Sequence, residues 1–380
     1  MSTDPLHVGL GRGGGVVCLP DKRCVHREPV EPPPPDVAAF ESEGIAVEWG
    51  ELPTELIFYT KAVPWAIALP ADHSPSAAPL PLVLHIHGAG GNHLQMLLDD
   101  NLSEIRSGAG SSRAQTLMRA ASARGQRVAM LTIHCLGPGV ESEPLVSDNG
   151  WYTDWRDGRA LWETFITQEL LPFARERWNL TSDRRKTAIR GMSMGGCGSL
   201  RIGLRNLELF GIVCGLEPAI EATLEFDDIP IESKGSGEFL PVVHALPGTD
   251  HEVDREHYRA HNPAVSPSSC LMRLDVDRTL TPALSGQAIV RDDPQRIIDS
   301  GVRILLDCGS RDEFFFHTGT EYLHRTLTDC GVEHEYRAVL AGTHVGDDAS
   351  LRLDYCDQFV LTHLERPEAA AELDETGEFL

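Results

Sequence analysis

The chain of 380 residues carries 33 Lys and Arg against 57 Asp and Glu, which gives a formal net charge of −24 at pH 7. An acidic balance of this size repels nucleic acid and anionic membrane surfaces, so neither is an expected partner. Hydrophobic residues make up 41% and charged residues 24% of the chain, as in soluble globular proteins, and no stretch approaches the roughly 20 apolar residues that span a bilayer.

The N-terminal segment and the cysteines indicate the cellular compartment. The first residues lack the basic and then apolar pattern of a secretory signal peptide. The nine cysteines are scattered and form no C-x-x-C pair. We therefore expect a reduced, cytoplasmic protein.

Strand and helix patterns alternate along most of the chain. Residues 1–40 are rich in Gly and Pro and are predicted to be an irregular N-terminal arm. The segments 45–50 and 55–70 predict a leading antiparallel pair of strands, and 80–88 predicts a buried strand that ends in glycine. A helix over 112–125, a strand over 126–134 and an amphipathic helix over 157–178 follow.

The second half continues the alternation after one interruption. The predicted strands cover 186–193, 210–218, 301–309 and 333–342, and the predicted helices cover 195–206, 318–331 and 346–364. Alternation of this kind predicts an α/β fold with a mainly parallel sheet covered on both faces. The interruption, about residues 218–298, is predicted to be an inserted lid or cap of a domain that spans 41–365. Residues 366–380 are predicted to form an acidic C-terminal tail.

A G-x-S-x-G motif formed by Gly191, Ser193 and Gly195 lies between a predicted strand and a predicted helix. In a nucleophile elbow, the chain turns sharply at the serine, and the flanking glycines let strand and helix approach closely. The motif therefore predicts Ser193 as a nucleophile. The alternative is that Ser193 caps a glycine-rich helix.

A serine nucleophile needs a base, an orienting carboxylate and an oxyanion hole. In the strand–turn–helix context of this motif the acid and then the histidine follow the serine along the chain. Asp312 follows one predicted strand and His344 follows the last one, so they are the predicted acid and base. The rival carboxylates are Asp307, Glu313, Asp347 and Asp348.

The oxyanion hole is predicted from two backbone N–H groups. One belongs to Met194, the residue after the nucleophile. The second is expected from the glycine-rich loop that follows the strand over 80–88, and we assign it to Ala89, with Gly88 as the alternative.

On these motifs the chain resembles the α/β-hydrolase superfamily. More narrowly, it resembles the esterase family that contains esterase D, tributyrin and feruloyl esterases, enterochelin esterases and mycolyltransferases. The resemblance is carried by "HGAGG", "WETFITQELLPFARERW", "RGMSMGG", "LDCGSRDEFF" and "GTHV", which together span about residues 80–360. Two departures, "SMGGCGS" for the family's "SMGGHGA" and "GTHVGDD" after the last strand, leave the substrate open.

Aromatic residues and histidines outside the triad are further candidates for binding roles. Trp151 and Tyr152 follow the fourth predicted strand, where α/β sheets bind ligands, and are predicted either to line the substrate pocket or to anchor their loop. Among His85, His87 and His93, a histidine is predicted to pack beneath the oxyanion loop rather than to bind a metal. The pair His257 and His261 completes no zinc pattern, so no metal is expected.

Together these features predict a serine carboxylesterase that acts through an acyl-enzyme on a small-molecule ester, without a cofactor. The alternatives are an acyltransferase or thioesterase with the same triad, or a non-catalytic binding protein that keeps the hydrolase fold. A homodimer is a further expectation.

Overall fold

The computed structural model describes most of the predicted domain. The described residues are 17–18, 24–25, 34–98, 112–137, 149–155, 158, 160–220, 289–314, 316–344, 346 and 348–365. Within these ranges no helix combines the length and the apolar character needed to cross a membrane.

A central eight-stranded sheet organises the molecule. Its strands are β3 Ile45–Pro53, β4 Ala62–Pro70, β5 Leu82–Ile86, β6 Ala129–Ile133, β7 Thr187–Met192, β8 Ile212–Leu216, β9 Arg303–Gly309 and β10 Glu335–Val339. Their order in the sheet is β10-β9-β8-β7-β5-β6-β4-β3. The strands from β10 to β6 in this order are parallel, whereas β4 runs antiparallel to β6 and to β3. A separate antiparallel ladder pairs β1 Val17–Cys18 with β2 Cys24–Val25.

Helices cover both faces of this sheet. They are α1 Val37–Ser42, α2 Arg113–Ala123, α4 Met194–Arg205, α5 Ile289–Asp292, α6 Pro294–Ser300, α7 Phe316–Asp329 and α8 Ala349–Glu365. The helix α3 is continuous but changes type, with α-helical ends at Trp162–Thr164 and Leu171–Trp178 and a π-helical middle at Phe165–Leu170. A 3₁₀ turn, Arg184–Lys186, leads into β7.

Two apolar cores form because side chains alternate between the faces of each buried strand. On β5, Leu82 and Leu84 pack in the core beneath α3, α4 and α7, whereas Val83 packs in the opposite core beneath α1, α2 and α8. The start of α2 is held by a capping box, in which Ser112 and Gln115 exchange side-chain and backbone hydrogen bonds. Both faces of the sheet must be covered by helices, which explains the alternation of helix and strand that the sequence indicates.

The sheet order places a topological switch point between β5 and β7. From β5 the chain crosses to β6 on one side, and later it returns to β7 on the other side. In open α/β sheets, ligands bind in the crevice at the carboxyl ends of the strands where the order reverses. Ser193 follows β7 and Gly88 follows β5 at this edge.

The predicted α/β fold is confirmed, and the strands β3 to β10 and the helices α2, α3, α4, α7 and α8 fall within or beside their predicted segments. Of the predicted insertion over 218–298, residues 221–288 lie outside the described part. The helices α5 and α6 form its end, and Val290 and Ile297 pack into the core beneath α3, α4 and α7. The predicted irregular arm contains the β1–β2 ladder and the beginning of α1. The acidic tail over 366–380 lies outside the described residues.

Candidate active site

Ser193 occupies the sharp turn between β7 and α4. Its backbone has φ 56° and ψ −119°, a left-handed conformation that favours glycine and strains other residues. Its N–H donates to the carbonyl of Leu216 at 2.9 Å. Gly195 allows this turn because a Cβ there would lie 2.0 Å from the carbonyl oxygen of Ile86.

His344 and Asp312 meet Ser193 from two loops at the same edge of the sheet. The Nε2 atom of His344 lies 2.8 Å from Oγ of Ser193, and its Nδ1 atom lies 2.7 Å from Oδ2 of Asp312. An ionised carboxylate accepts only, so Nδ1 carries the ring proton and Nε2 is free to accept the serine O–H. The structure therefore brings the three predicted residues into one hydrogen-bonded chain.

The acid and the base are shielded from solvent. Asp312 is 2% exposed and His344 is 5% exposed, and the second carboxylate oxygen of Asp312 accepts the N–H of Phe314 at 2.9 Å. The rings of Phe314 and Phe316 stand edge-on to the imidazole, with centroids 4.8 and 5.3 Å away. This apolar wall strengthens the hydrogen bonds of the histidine because it lowers the local dielectric.

The predicted oxyanion donors lie beside the serine. Met194 is the first residue of α4, so its N–H has no acceptor within the helix. A Cβ built on Gly88 would lie 3.3 Å from Cβ of Ser193, which places the loop after β5 against the nucleophile. The carbonyl of Gly88 accepts from the ring of His87 at 2.6 Å and from the N–H of Gly91 at 3.1 Å. The peptide bond between Gly88 and Ala89 is trans, so its N–H points opposite to its carbonyl. The N–H of Ala89 therefore points away from His87.

His87 has a defined tautomer. The backbone N–H of Cys135 donates to its Nε2 at 3.0 Å, so the proton sits on Nδ1 and donates to Gly88. Burial lowers the pKa of His87 to about 4, and the ring is therefore neutral at neutral pH. Asn149, which is buried, accepts the N–H of Gly90 at 3.1 Å. These two side chains hold the loop after β5. His87 lies where the sequence predicts a histidine packed beneath this loop, whereas no sequence motif indicated Asn149.

The rival carboxylates have other partners. Glu313 accepts the backbone N–H of His344 at 2.9 Å. Asp307 is fully buried and pairs with Arg352 at 2.5 Å and with Arg337 at 3.0 Å. Asp348 lies 3.8 Å from Arg352, and Asp347 lies outside the described residues.

One further carboxylate near the base, Glu217, was missed in the sequence. It follows β8 directly, is completely buried, and its Oε2 lies 3.6 Å from Nδ1 of His344. Its other oxygen pairs with Arg352. A glutamate at the end of a buried strand, before Pro218, is the only signal in the sequence that could have pointed to it.

Trp151 and Tyr152, the predicted substrate-binding pair, are buried behind the elbow. They are 5% and 0% exposed, and both have positive φ angles of 63° and 52°. Arg201 of α4 donates to their carbonyls at 2.6 and 2.8 Å. These contacts favour the loop-anchoring alternative, and contact of either ring with substrate stays a prediction.

Among the described residues, Glu217, Asp312 and His344 form the one cluster with three ligand-type atoms within 4.8 Å of one another. Each of these three side chains already has a partner within the site. Arg352 neutralises Glu217, and Asp312 accepts the imidazole proton. The cluster is therefore better suited to a proton-transfer site than to a metal ion.

Comparison with known proteins decides the family. The model of the family described as "Putative esterase" matches residues 60–345. The chain belongs to this esterase family. The resemblance read from the sequence motifs is thereby confirmed.

One curated esterase matches a short segment of the chain. An acetyl esterase of Caldicellulosiruptor saccharolyticus is 36% identical over 67 residues, which cover 17% of this chain and 25% of the relative. The match thus spans about a quarter of that curated protein's length.

Solved esterase structures share the fold. A ferulic acid esterase superposes with a TM-score of 0.56 at 18% identity and covers 84% of this chain and 98% of its own. An S-formylglutathione hydrolase from Agrobacterium tumefaciens gives 0.57 at 16% identity, with coverage of 84% and 96%. A fluorophosphonate-binding serine hydrolase of Staphylococcus aureus, FphF, gives 0.51 at 15% identity, with coverage of 85% and 99%.

Proposed function

We propose that this protein is a serine carboxylesterase with Ser193 as nucleophile, His344 as general base and Asp312 as the acid that orients it. The observation that carries the proposal is the pair of hydrogen bonds of 2.8 and 2.7 Å that links the three side chains. Their roles follow from the tautomer, since only a neutral Nε2 can take the serine proton. Membership of the esterase family supports an ester as the substrate.

In the acylation half of the reaction, His344 removes the proton from Ser193 as Oγ attacks the ester carbonyl. The carbonyl oxygen becomes an oxyanion and accepts hydrogen bonds from the N–H groups of Met194 and Ala89, with Gly88 as the alternative to Ala89. Asp312 keeps the imidazole oriented and stabilises its protonated form. The protonated His344 then donates to the leaving alcohol.

In the deacylation half, His344 activates a water molecule, which attacks the acyl group on Ser193. Collapse of the second tetrahedral intermediate releases the acid and restores the O–H of Ser193. These steps need no cofactor, because every proton moves between the serine, the histidine, water and the alcohol.

The test compares wild type with Ser193→Ala on p-nitrophenyl esters from acetate to octanoate. We expect the substitution to lower hydrolysis about 10⁴-fold or more and to abolish labelling by a fluorophosphonate. Ser199→Ala is the matched control, because Ser199 lies in the second turn of α4 and, in the described part of the chain, its hydroxyl donates to the carbonyls of Gly196 and Cys214.

The outcomes separate the alternatives. Hydrolysis that equals wild type in Ser193→Ala, or no labelling of the wild type, would refute the proposal and favour a non-catalytic binding protein. Added alcohol acceptors that divert the acyl group away from water would identify an acyltransferase. Faster turnover of thioesters than of esters would identify a thioesterase.

A further inference from the structure

The base of the site faces two carboxylates rather than one. Besides Asp312, the side chain of Glu217 reaches the same ring nitrogen of His344, with 3.6 Å between Oε2 and Nδ1. Asp312 follows β9 and Glu217 follows β8, so the carboxyl ends of two neighbouring strands each place an acid against the imidazole.

The backbone of Glu217 is held in a costly conformation. Its φ of 42° is left-handed, which is uncommon for a residue with a side chain, and its N–H donates to the carbonyl of Asp307 at 2.6 Å. Strained residues of this kind persist where the surroundings over-determine them, and they cluster at functional sites. This backbone conformation belongs to a residue whose side chain reaches the base.

The ion pair with Arg352 involves only one of the two carboxylate oxygens of Glu217. Arg352 is 3% exposed on its side chain and contacts Oε1 of Glu217, Asp307 and, at 3.2 Å, the carbonyl of Thr343. Burial lowers the pKa of Arg352 to about 10, so it is still a cation at neutral pH. Its charge offsets the cost of burying the Glu217 carboxylate, which would be expensive in the interior without a cation beside it. The remaining oxygen, Oε2, is the one that faces His344.

Distance assigns different roles to the two acids. At 2.7 Å, Asp312 is the acceptor of the Nδ1 proton, and 3.6 Å is too long for Glu217 to share it as a hydrogen bond. At 3.6 Å a carboxylate still favours the tautomer with the proton on Nδ1 and still stabilises a positive imidazolium. A small movement would make it an acceptor if Asp312 were absent.

We propose that Glu217 is a second positioning carboxylate for His344, which supports the Nδ1–H tautomer beside Asp312 and replaces Asp312 as acceptor when that side chain is removed. This inference rests on the proposed function, because it concerns the base of the same reaction. The ring proton stays on Nδ1 throughout, and no additional group is needed.

Two substitutions of Asp312 test the proposal. The alanine variant should label faster than the asparagine variant, although asparagine resembles aspartate more closely in shape. Asp312→Asn presents an amide N–H that can donate to Nδ1, which forces the wrong tautomer and lowers the reaction rate about 10⁴-fold. Asp312→Ala presents no donor and leaves room for Glu217. We expect Asp312→Ala to react at least about tenfold faster than Asp312→Asn in fluorophosphonate labelling of Ser193.

The faster labelling of Asp312→Ala relative to Asp312→Asn should depend on Glu217. In the Glu217→Gln background, both Asp312 variants should label equally slowly, whereas Glu217→Gln alone should stay within about tenfold of wild type. The amide oxygen of glutamine can still accept a hydrogen bond from Arg352, so Arg352 keeps a partner at this position. Equal fold losses from Glu217→Gln with and without Asp312 would mean a purely structural role and would overturn the proposal.

A second readout uses the intact triad. Among the described residues, the carboxylates of Asp312 and Glu217 contact the ring of His344, and that of Glu313 accepts its backbone N–H. Arg352 of α8 contacts Glu217 and the carbonyl of the neighbouring Thr343. Removal of one negative charge by Glu217→Gln should move the acid limb of the pH–labelling profile to lower pH by about one unit. An unmoved limb would count against the proposal, and this variant keeps Asp312 and its fold-stabilising contacts.

A third readout needs no reaction at all. The Nδ1 proton of His344, held by a carboxylate, should appear in the downfield proton NMR spectrum of wild type and of Asp312→Ala, and should vanish in Asp312→Ala/Glu217→Gln. If wild type fails to label at Ser193, the proposed function fails while this spectrum still decides the role of Glu217. A proton that is absent from Asp312→Ala would overturn the second-acceptor role even if the enzyme is active.

Discussion

The strain at Ser193 predicts that the nucleophile destabilises the fold. Two substitutions isolate this strain. Ser193→Ala and Ser193→Gly both remove Oγ and its contact with His344, so both lose the reaction and the 2.8 Å hydrogen bond. They differ only in the Cβ atom, which at φ 56° and ψ −119° strains alanine and is absent from glycine.

The expected difference follows from two opposing quantities. Relief of a strained φ/ψ for a non-glycine residue is worth roughly 1–3 kcal/mol. The greater freedom of glycine in the unfolded chain costs about 0.4–1 kcal/mol. The glycine variant should therefore be more stable than the alanine variant by about 1 kcal/mol, which raises the Tm of a protein of this size by roughly 1 °C.

Equilibrium urea unfolding and calorimetry of the two variants measure this difference directly. The control is the same pair at Ser199, which lies inside α4, where glycine should be less stable than alanine by about 1 kcal/mol. The sign should thus reverse between two serines six residues apart. An alanine variant at Ser193 that is as stable as the glycine variant would refute the claim that the turn is strained.

Three other predictions test the supports of the site. Gly195→Ala should lower the free energy of unfolding by about 3 kcal/mol and stop labelling of Ser193, because the new Cβ would lie 2.0 Å from the backbone carbonyl oxygen of Ile86. Thermal melting measures the first loss and probe labelling the second. His87→Asn should destabilise the protein most above pH 6.5. Burial holds the pKa of His87 at about 4, so wild type loses about 3 kcal/mol relative to the variant as the pH falls from 6.5 to 4, measured by urea unfolding at both ends. Arg201→Met should lower the free energy of unfolding by about 3 kcal/mol, because two buried carbonyls lose their donor, whereas the half-exposed Arg205→Met should cost under about 1 kcal/mol.

Each of these has a contradicting result. A soluble Gly195→Ala that labels like wild type would mean that β5 and α4 can separate without harm to the site. A stability gap between wild type and His87→Asn that is the same at pH 7.5 and pH 4.5 would mean that His87 titrates normally in the folded state. Equal losses for the two arginine variants would remove the special role of Arg201.

The sequence predicts the sheet and the elbow well because both depend on local patterns. A parallel strand buried on both faces is a continuous apolar run, as in the Leu82–Ile86 segment, and such runs are read directly. The elbow is equally local, since the glycines that permit it lie within two residues of Ser193. The order of acid and histidine then follows from the topology, because each lies just after a strand that ends at the same edge.

The supporting contacts were not predictable because they join distant segments. His87 is oriented by the N–H of Cys135, 48 residues away, and Arg352 reaches Glu217 from the last helix. No spacing rule links such pairs, since they depend on how three-dimensional packing closes. The π-helical segment in α3 was also not predictable. Its apolar residues fit an α-helical pattern, and its i→i+5 hydrogen bonds leave no mark on that pattern.

The nucleophile and the base of this site are fixed by different means, and this difference predicts where variation can be tolerated. Ser193 is held by backbone, between β7 and α4, so neighbouring side chains matter little as long as the glycines remain. His344 sits on a loop that is held by side chains: Asp312 binds its ring, Glu313 binds its N–H, and Arg352 binds the carbonyl of Thr343. Substitutions in the loop after β9 or on the buried side of α8 should therefore slow the base while the turn at Ser193 keeps its geometry.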